Sequence, residues 1–251
     1  MTHRAFLVIL AAVIVACKGA STGTPEASAP PKTEPPPTAV PATSSLTASP
    51  PAGSPGDTAA RTFAFDADAG DKPPAGFAFG RTGSGAPGRW IVKSEAGSPS
   101  GANVLAQLDA DATSFRFPIA VATAPRASDV RVSVRCKMVS GRVDQVCGLV
   151  ARYADENNYL ITRANALENN IRLYTVKGGR RDQIASADVR VTAGQWHAYR
   201  FEARGDRLEV FWDGKRVLEH RDSTFTDAGL SGVWTKADSV PYFDDLAIEA
   251  L

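Results

Sequence analysis

This 251-residue sequence predicts an all-β domain, an antiparallel β-sandwich over residues 61–251, and three observations predict it. Apolar and polar residues alternate with period two in run after run, as in strands that lay one face on a core. Clusters of glycine, asparagine and aspartate separate those runs at intervals of about 8–20 residues, as turns do in an all-β fold. No window of ten residues carries a convincing helical period.

The elements follow in order. In residues 129–138, Val130, Val132 and Val134 alternate with Arg131, Ser133 and Arg135, which predicts a strand. Residues 145–153, 159–164, 171–176, 196–203 and 208–212 continue as further strands. Turn chemistry connects them at Ser140-Gly141-Arg142, 155–158, Glu168-Asn169-Asn170, Lys177-Gly178-Gly179, Gly205-Asp206 and Asp213-Gly214. A tight hairpin turn centred on Gly141-Arg142 would set Cys136 directly opposite Cys147, about 4.5–5.5 Å apart at Cα and within disulfide range. Export would favour the oxidised pair; two buried thiols are the other reading. No metal-ligand spacing surrounds them.

Ahead of the sandwich stand two segments of different composition. Residues 1–16 join one positive charge, Arg4, to the apolar run AFLVILAAVIVA, twelve residues from Ala5 to Ala16. About 20 apolar residues are needed to cross a bilayer, so the run reads as the h-region of an export signal. Residues 17–60 hold ten of the 17 prolines, no aromatic residue, and only Val40 and Leu46 as aliphatic side chains larger than alanine. Such a segment cannot bury enough apolar surface to offset the entropy of ordering, and predicts an extended, disordered tether. Fully extended polyproline II over its length would reach roughly 130 Å at about 3 Å per residue. With 28 Lys+Arg against 27 Asp+Glu the formal charge is +1, which argues against the clustered basic excess of a nucleic-acid binder.

Two resemblances add to this. Ile14-Val15-Ala16-Cys17 resembles the bacterial lipobox, which implies cleavage before Cys17, acylation of its sulfur and membrane attachment through the acyl chains. Lys18 after that cysteine implies sorting to the outer membrane of the cell envelope. Gly194-Gln195-Trp196-His197 followed by Leu208-Glu209-Val210-Phe211-Trp212-Asp213-Gly214 resembles a hairpin of laminin-G and concanavalin A-like jelly rolls. Gly148–Tyr153, Asn157-Asn158-Tyr159 and Tyr242-Phe243-Asp244-Asp245-Leu246 resemble other strands of that superfamily. Within it, the domain resembles the 3-keto-disaccharide hydrolase-like group. That resemblance implies a jelly roll from about Phe63 to the end, and an activity on 3-keto-glycosides as one function.

The residues themselves point more to binding. No Ser sits in a G-x-S-x-G elbow, and beyond the leader only His197 and His220 remain as histidines. Glu168 and Asp238 are the weak candidates for a catalytic base. Asp66-Ala67-Asp68-Ala69-Gly70 begins like a calcium loop but lacks the later ligands. A structural calcium joining Asp66 to Asp244 is the alternative to aspartates that cap turns. Period two places Tyr159, Ile161, Arg163 and Asn165 on one strand face, Arg172 and Tyr174 on one face of the next, and Trp234 with Lys236 near the end. Planar polar groups beside aromatic faces suit a sugar, the former for hydroxyl pairs and the latter for C–H surfaces. Arg163, Asn165, Arg172, Tyr174, Trp234 and Lys236 are therefore the candidate ligand-binding residues, for a carbohydrate or another envelope polymer. A plain solvated face of ion pairs, on a purely structural or protein-interaction domain, is the competing reading.

Overall fold

The computed structural model of the protein describes residues 60–251. The leader, Cys17 and the tether up to residue 59 lie outside the described residues.

Fifteen strands make up the described fold. They are β1 (Arg61–Phe63), β2 (Phe77–Gly83), β3 (Trp90–Ser94), β4 (Asn103–Gln107) and β5 (Arg116–Ala127). β6 (Val130–Ser140), β7 (Val146–Asp155), β8 (Asn158–Asn165), β9 (Asn170–Lys177) and β10 (Arg180–Asp188) follow. The last five are β11 (His197–Arg204), β12 (Arg207–Trp212), β13 (Lys215–Arg221), β14 (Gly229–Trp234) and β15 (Val240–Ala250). An 8-stranded sheet runs β13-β12-β11-β6-β15-β4-β3, with β1 added on β15, and a 7-stranded sheet runs β10-β9-β8-β7-β14-β5-β2. All pairings are antiparallel. The six strands expected between residues 129 and 212 are present as β6 to β9, β11 and β12, with ends that differ by one or two residues.

The core forms between the sheets. From the 8-stranded sheet come Val132, Phe201, Val210 and Phe243, all fully buried, and from the 7-stranded sheet Leu149, Leu160, Leu173 and Val233. On β6 the alternation reads directly: Val130, Val132 and Val134 point inward while Arg131, Ser133 and Arg135 face out.

The hairpin expected between β6 and β7 does not form. β6 pairs with β11 and β15, and β7 with β8 and β14, so the two belong to different sheets. Cys136 and Cys147 are joined as a disulfide with Cα atoms 6.6 Å apart, and the bond bridges the sandwich instead of two neighbouring strands. Both cysteines sit at inward-facing positions, so they meet across the core. The connection turns at Gly141, whose φ of 155° and backbone crowding (a Cβ would lie 1.8 Å from the Asp144 carbonyl oxygen) admit no side chain.

Two buried arginines tie down connections that carry backbone carbonyls. Arg116 donates from Nε to the Ala86 carbonyl, from Nη1 to the Ala237 carbonyl and from Nη2 to Asp109 Oδ1, each at 2.6 Å. Arg152 donates to the carbonyls of Ser128, Gly205 and Phe225 at 2.6–2.8 Å. A guanidinium offers five donors in a fixed fork, which suits it to gathering several carbonyls where water is excluded.

Candidate functional site

The 7-stranded sheet carries a second apolar cluster on the face turned away from the other sheet: Phe117, Val121, Val150, Tyr159, Ile161, Tyr174 and Trp234 among others. The sheet is strongly curved, because the guanidinium of Arg181 on edge strand β10 lies 4.6 Å from the Tyr174 ring and also 4.5 Å from the Phe117 ring on β5. This concave face is filled by its own side chains. Trp234 is 0% exposed. Its indole stacks on Phe117 with centroids 5.2 Å apart and donates from Nε1 to the Tyr159 hydroxyl at 3.3 Å. It lies flat on β7 where Gly148 leaves room; a Cβ there would come within 2.9 Å of the indole. Tyr159 in turn bonds the Thr82 hydroxyl at 2.6 Å, and burial pushes its phenol up to about 12. The expectation that Trp234 offers an open ring to a ligand is corrected by this burial: it is a core residue of the concave face. Tyr174, also buried, shares that role.

The polar candidates gather at one end of the same face. Arg163 and Arg172 are directly opposite each other in the β8–β9 pair, and Asn165 is opposite Asn170 two residues further along. The buried Arg163 donates from Nη2 to Glu168 at 2.9 Å and from Nη1 to Asn170. Arg172 reaches the same Glu168 oxygen at 3.2 Å, and its buried Nε has no acceptor among the described residues. Asn165 donates to Asp144 at 2.6 Å and accepts the backbone N–H of Leu167 and Glu168, closing the β8–β9 turn. Lys236 pairs with the other Asp144 oxygen at 2.9 Å. Asp238 accepts the backbone N–H groups of Arg142, Val143 and Asp144, and so caps the crossing from β6 to β7. The structure thus brings Arg163, Asn165, Arg172, Glu168 and Lys236 to one rim, with Asp238 beneath it. Arg172 is half-buried and Glu168 exposed, so these two face solvent most.

Neither carboxylate proposed as a base is poised as one. Burial opposes the charge on Glu168, but Arg163, Asn170 and Arg172 outweigh it and hold its pKa below the ordinary value. Burial likewise opposes Asp238, and three backbone N–H donors outweigh it, again lowering the pKa. A carboxylate held anionic with its lone pairs engaged is a poor proton acceptor. His197 is also engaged at both ring nitrogens, with Asp213 at 2.8 Å and the Thr192 carbonyl at 3.0 Å, and stacks on Trp212.

The aspartates considered for calcium converge on one loop, where Asp244 engages both carboxylate oxygens and Asp66 one. Asp66 Oδ1 accepts the N–H groups of Ala102 and Asn103, and Asp244 accepts the N–H and hydroxyl of Ser100. Burial raises the Asp244 pKa. Among the described residues, no group of three or more His, Cys, Asp or Glu side chains could hold a metal. These aspartates cap a turn.

Sequence reasoning missed Asp144, Asn170 and Arg181, which link the rim and cover the concave core. Only Asn170, in the Glu168-Asn169-Asn170 turn, stood beside a residue already singled out.

The backbone arrangement matches known structures. A carbohydrate-binding module of Bacillus subtilis, CBM66, superposes with a TM-score of 0.51 at 18% identity, over 64% of this chain and 95% of that one. The fold is a jelly roll. A Bacillus subtilis protein of unknown function with a galectin-like fold aligns at TM-score 0.49 and 11% identity, over 69% of this chain and 88% of that one. The lumenal domain of VIP36 in its calcium- and mannose-bound form gives 0.48 and 13%, over 71% and 84%. No family model and no curated protein matches the sequence.

Proposed function

We propose that this chain is a lipid-anchored protein of the cell envelope whose jelly roll binds carbohydrate without cleaving it. Acylated Cys17 would hold it to the outer membrane, and the proline-rich tether would carry the domain away from the lipid surface. The observation that carries the binding reading is the rim of the concave sheet. There Glu168 and Arg172 face solvent as an anionic acceptor and a planar donor side by side, held in place by the buried Arg163. Such groups match pairs of sugar hydroxyls. The named binding activity of CBM66, whose fold the chain shares over most of that module, supports the same reading. An enzyme acting on 3-keto-glycosides would need a competent base, and Glu168 and Asp238 are held in their anionic, hydrogen-bonded states.

The test is retention of the full chain on insoluble envelope polysaccharide and on a glycan array, beside its Arg172→Ala variant. The wild type should be retained. Loss of a charged hydrogen bond worth about 1.5–3 kcal/mol should weaken the variant roughly tenfold or more at unchanged melting temperature. Absence of retention on every glycan would favour the protein-interaction reading, and release of sugar fragments the enzymatic one. In cells, Cys17→Ser should abolish labelling by a palmitate analogue; equal labelling of both forms would refute the anchor.

A further inference from the structure

The two sheets each end in an edge strand on the same side of the sandwich, β2 in one and β3 in the other. Between them lies a cavity of about 300 Å³, lined by Phe79, Gly80, Arg81, Pro87, Gly88, Trp90 and Glu156. This volume is at the lower end of small-molecule sites, the scale of one ring.

Three features of the lining are unusual for an incidental dent. Phe79 is a large apolar side chain left 42% exposed at the mouth, while its strand neighbour Phe77 packs on the core. Trp90 is only 3% exposed, yet its indole N–H is buried with no acceptor among the described residues. Leaving such a donor unmade costs about 1–3 kcal/mol. Gly88 itself adds no side chain beside that donor: a Cβ there would lie 2.8 Å from Trp90 Nε1 and 2.7 Å from Pro118 Cβ. The wall that carries Gly88 is held in place, since Arg116 binds the carbonyls of Ala86 and Pro87. Opposite it, Thr82 Oγ1 donates to the Glu156 carbonyl oxygen, and the Arg81 amide donates to the Glu156 carboxylate at 3.5 Å, which fix the Glu156 turn on β2. The Arg81 and Glu156 side chains form no ion pair with each other, so a cationic donor and an anionic acceptor both stand at the mouth.

We infer that this edge cleft is a second binding site, for a single neutral pyranose ring, separate from the concave rim. The ring's C–H face would lie on Phe79 and Pro87. A ring hydroxyl oxygen would accept the Trp90 indole N–H over Gly88, and flanking hydroxyls would donate to Glu156 and accept from Arg81. A neutral ring fits better than a uronic acid, because a carboxylate here would face Glu156. The ligand class agrees with the proposed function, but the site does not depend on the rim.

The indole N–H of Trp90 reports on the site directly. In a proton–nitrogen correlation spectrum of the full chain, its resonance is identified by its disappearance in Trp90→Phe. Methyl β-D-glucopyranoside, methyl β-D-galactopyranoside and N-acetyl-D-glucosamine are the probes. At least one should shift that resonance downfield in a saturable way. Phe79→Ala, at an exposed position, should weaken the response about three- to tenfold, and Glu156→Gln should weaken it without loss of the fold. No response of the Trp90 indole to any of the three probes would overturn the inference. Because retention on polysaccharide is read through Arg172, a failure of the cleft and a failure of the rim are told apart in the same protein.

Discussion

The outer faces of the two sheets are built from opposite materials. Over β6, β11, β12 and β13 the outer face of the 8-stranded sheet is a lattice of ion pairs: Arg131 binds Glu202 and Glu249, both at 2.8 Å, and Arg216 binds Glu209 and Glu219 at 2.6 and 2.9 Å. On the 7-stranded sheet the outer face curls around Trp234, Phe117, Tyr159 and Tyr174, with Arg181 laid over their rings and further charges gathered at a rim. In the first case charged groups occupy each other, with Arg131, Arg216, Glu219 and Glu249 reaching solvent over the buried Glu202 and Glu209. In the second, curvature removes the aromatic groups from water and leaves a few arginines and carboxylates at the border of an apolar surface. Under the proposed function, recognition would lie at borders of the 7-stranded sheet, where the aromatic surface meets charged groups.

Three substitutions would break or sharpen that contrast. Trp234→Ala should be the most damaging, at about 3–5 kcal/mol in denaturant unfolding, because it empties a sealed face. A loss below about 1 kcal/mol would mean that the concave face is open to water, and would restore Trp234 as a ligand platform. Asp238→Asn should cost about 1–3 kcal/mol near neutral pH, since three backbone N–H groups lose a charged acceptor. Its pH dependence has a definite sign. The folded pKa of Asp238 is lowered from 3.8, so its stabilisation is present above that value and is lost as pH falls through the lower folded one. Acid unfolding curves should therefore show a smaller loss between those two values for Asp238→Asn than for the wild type. An unchanged acid limb would contradict the cap. Arg131→Ala, on the ion-pair lattice, should change stability least, by about 1 kcal/mol or less, with the difference fading at high salt. A larger, salt-independent loss would show that the lattice is a structural core in its own right.

The legible parts of this protein are those that local physics decides. Period-two alternation in residues such as Val130 to Val134 identified the strands, and turn residues identified most connections, because both depend on neighbours in the chain. The faces of β8 were also readable: Tyr159, Ile161, Arg163 and Asn165 do share one side. What each face meets was not readable. The pairing of β6 with β11 and β15 is a choice among distant strands, so the sequence-local hairpin at Gly141 lost, and the disulfide came to span the sandwich. Trp234 reads the same in sequence whether water or Phe117 lies over it; only the curvature of the sheet, with Gly148 beneath the indole, buried it. Arg163, Asn165 and Lys236 could be placed on faces by spacing, but Asp144, which joins two of them, comes from a different connection. Charge partners and burial depend on residues far apart in the chain, and for that reason the tertiary structure alone decided which candidates face solvent and which hold the domain together.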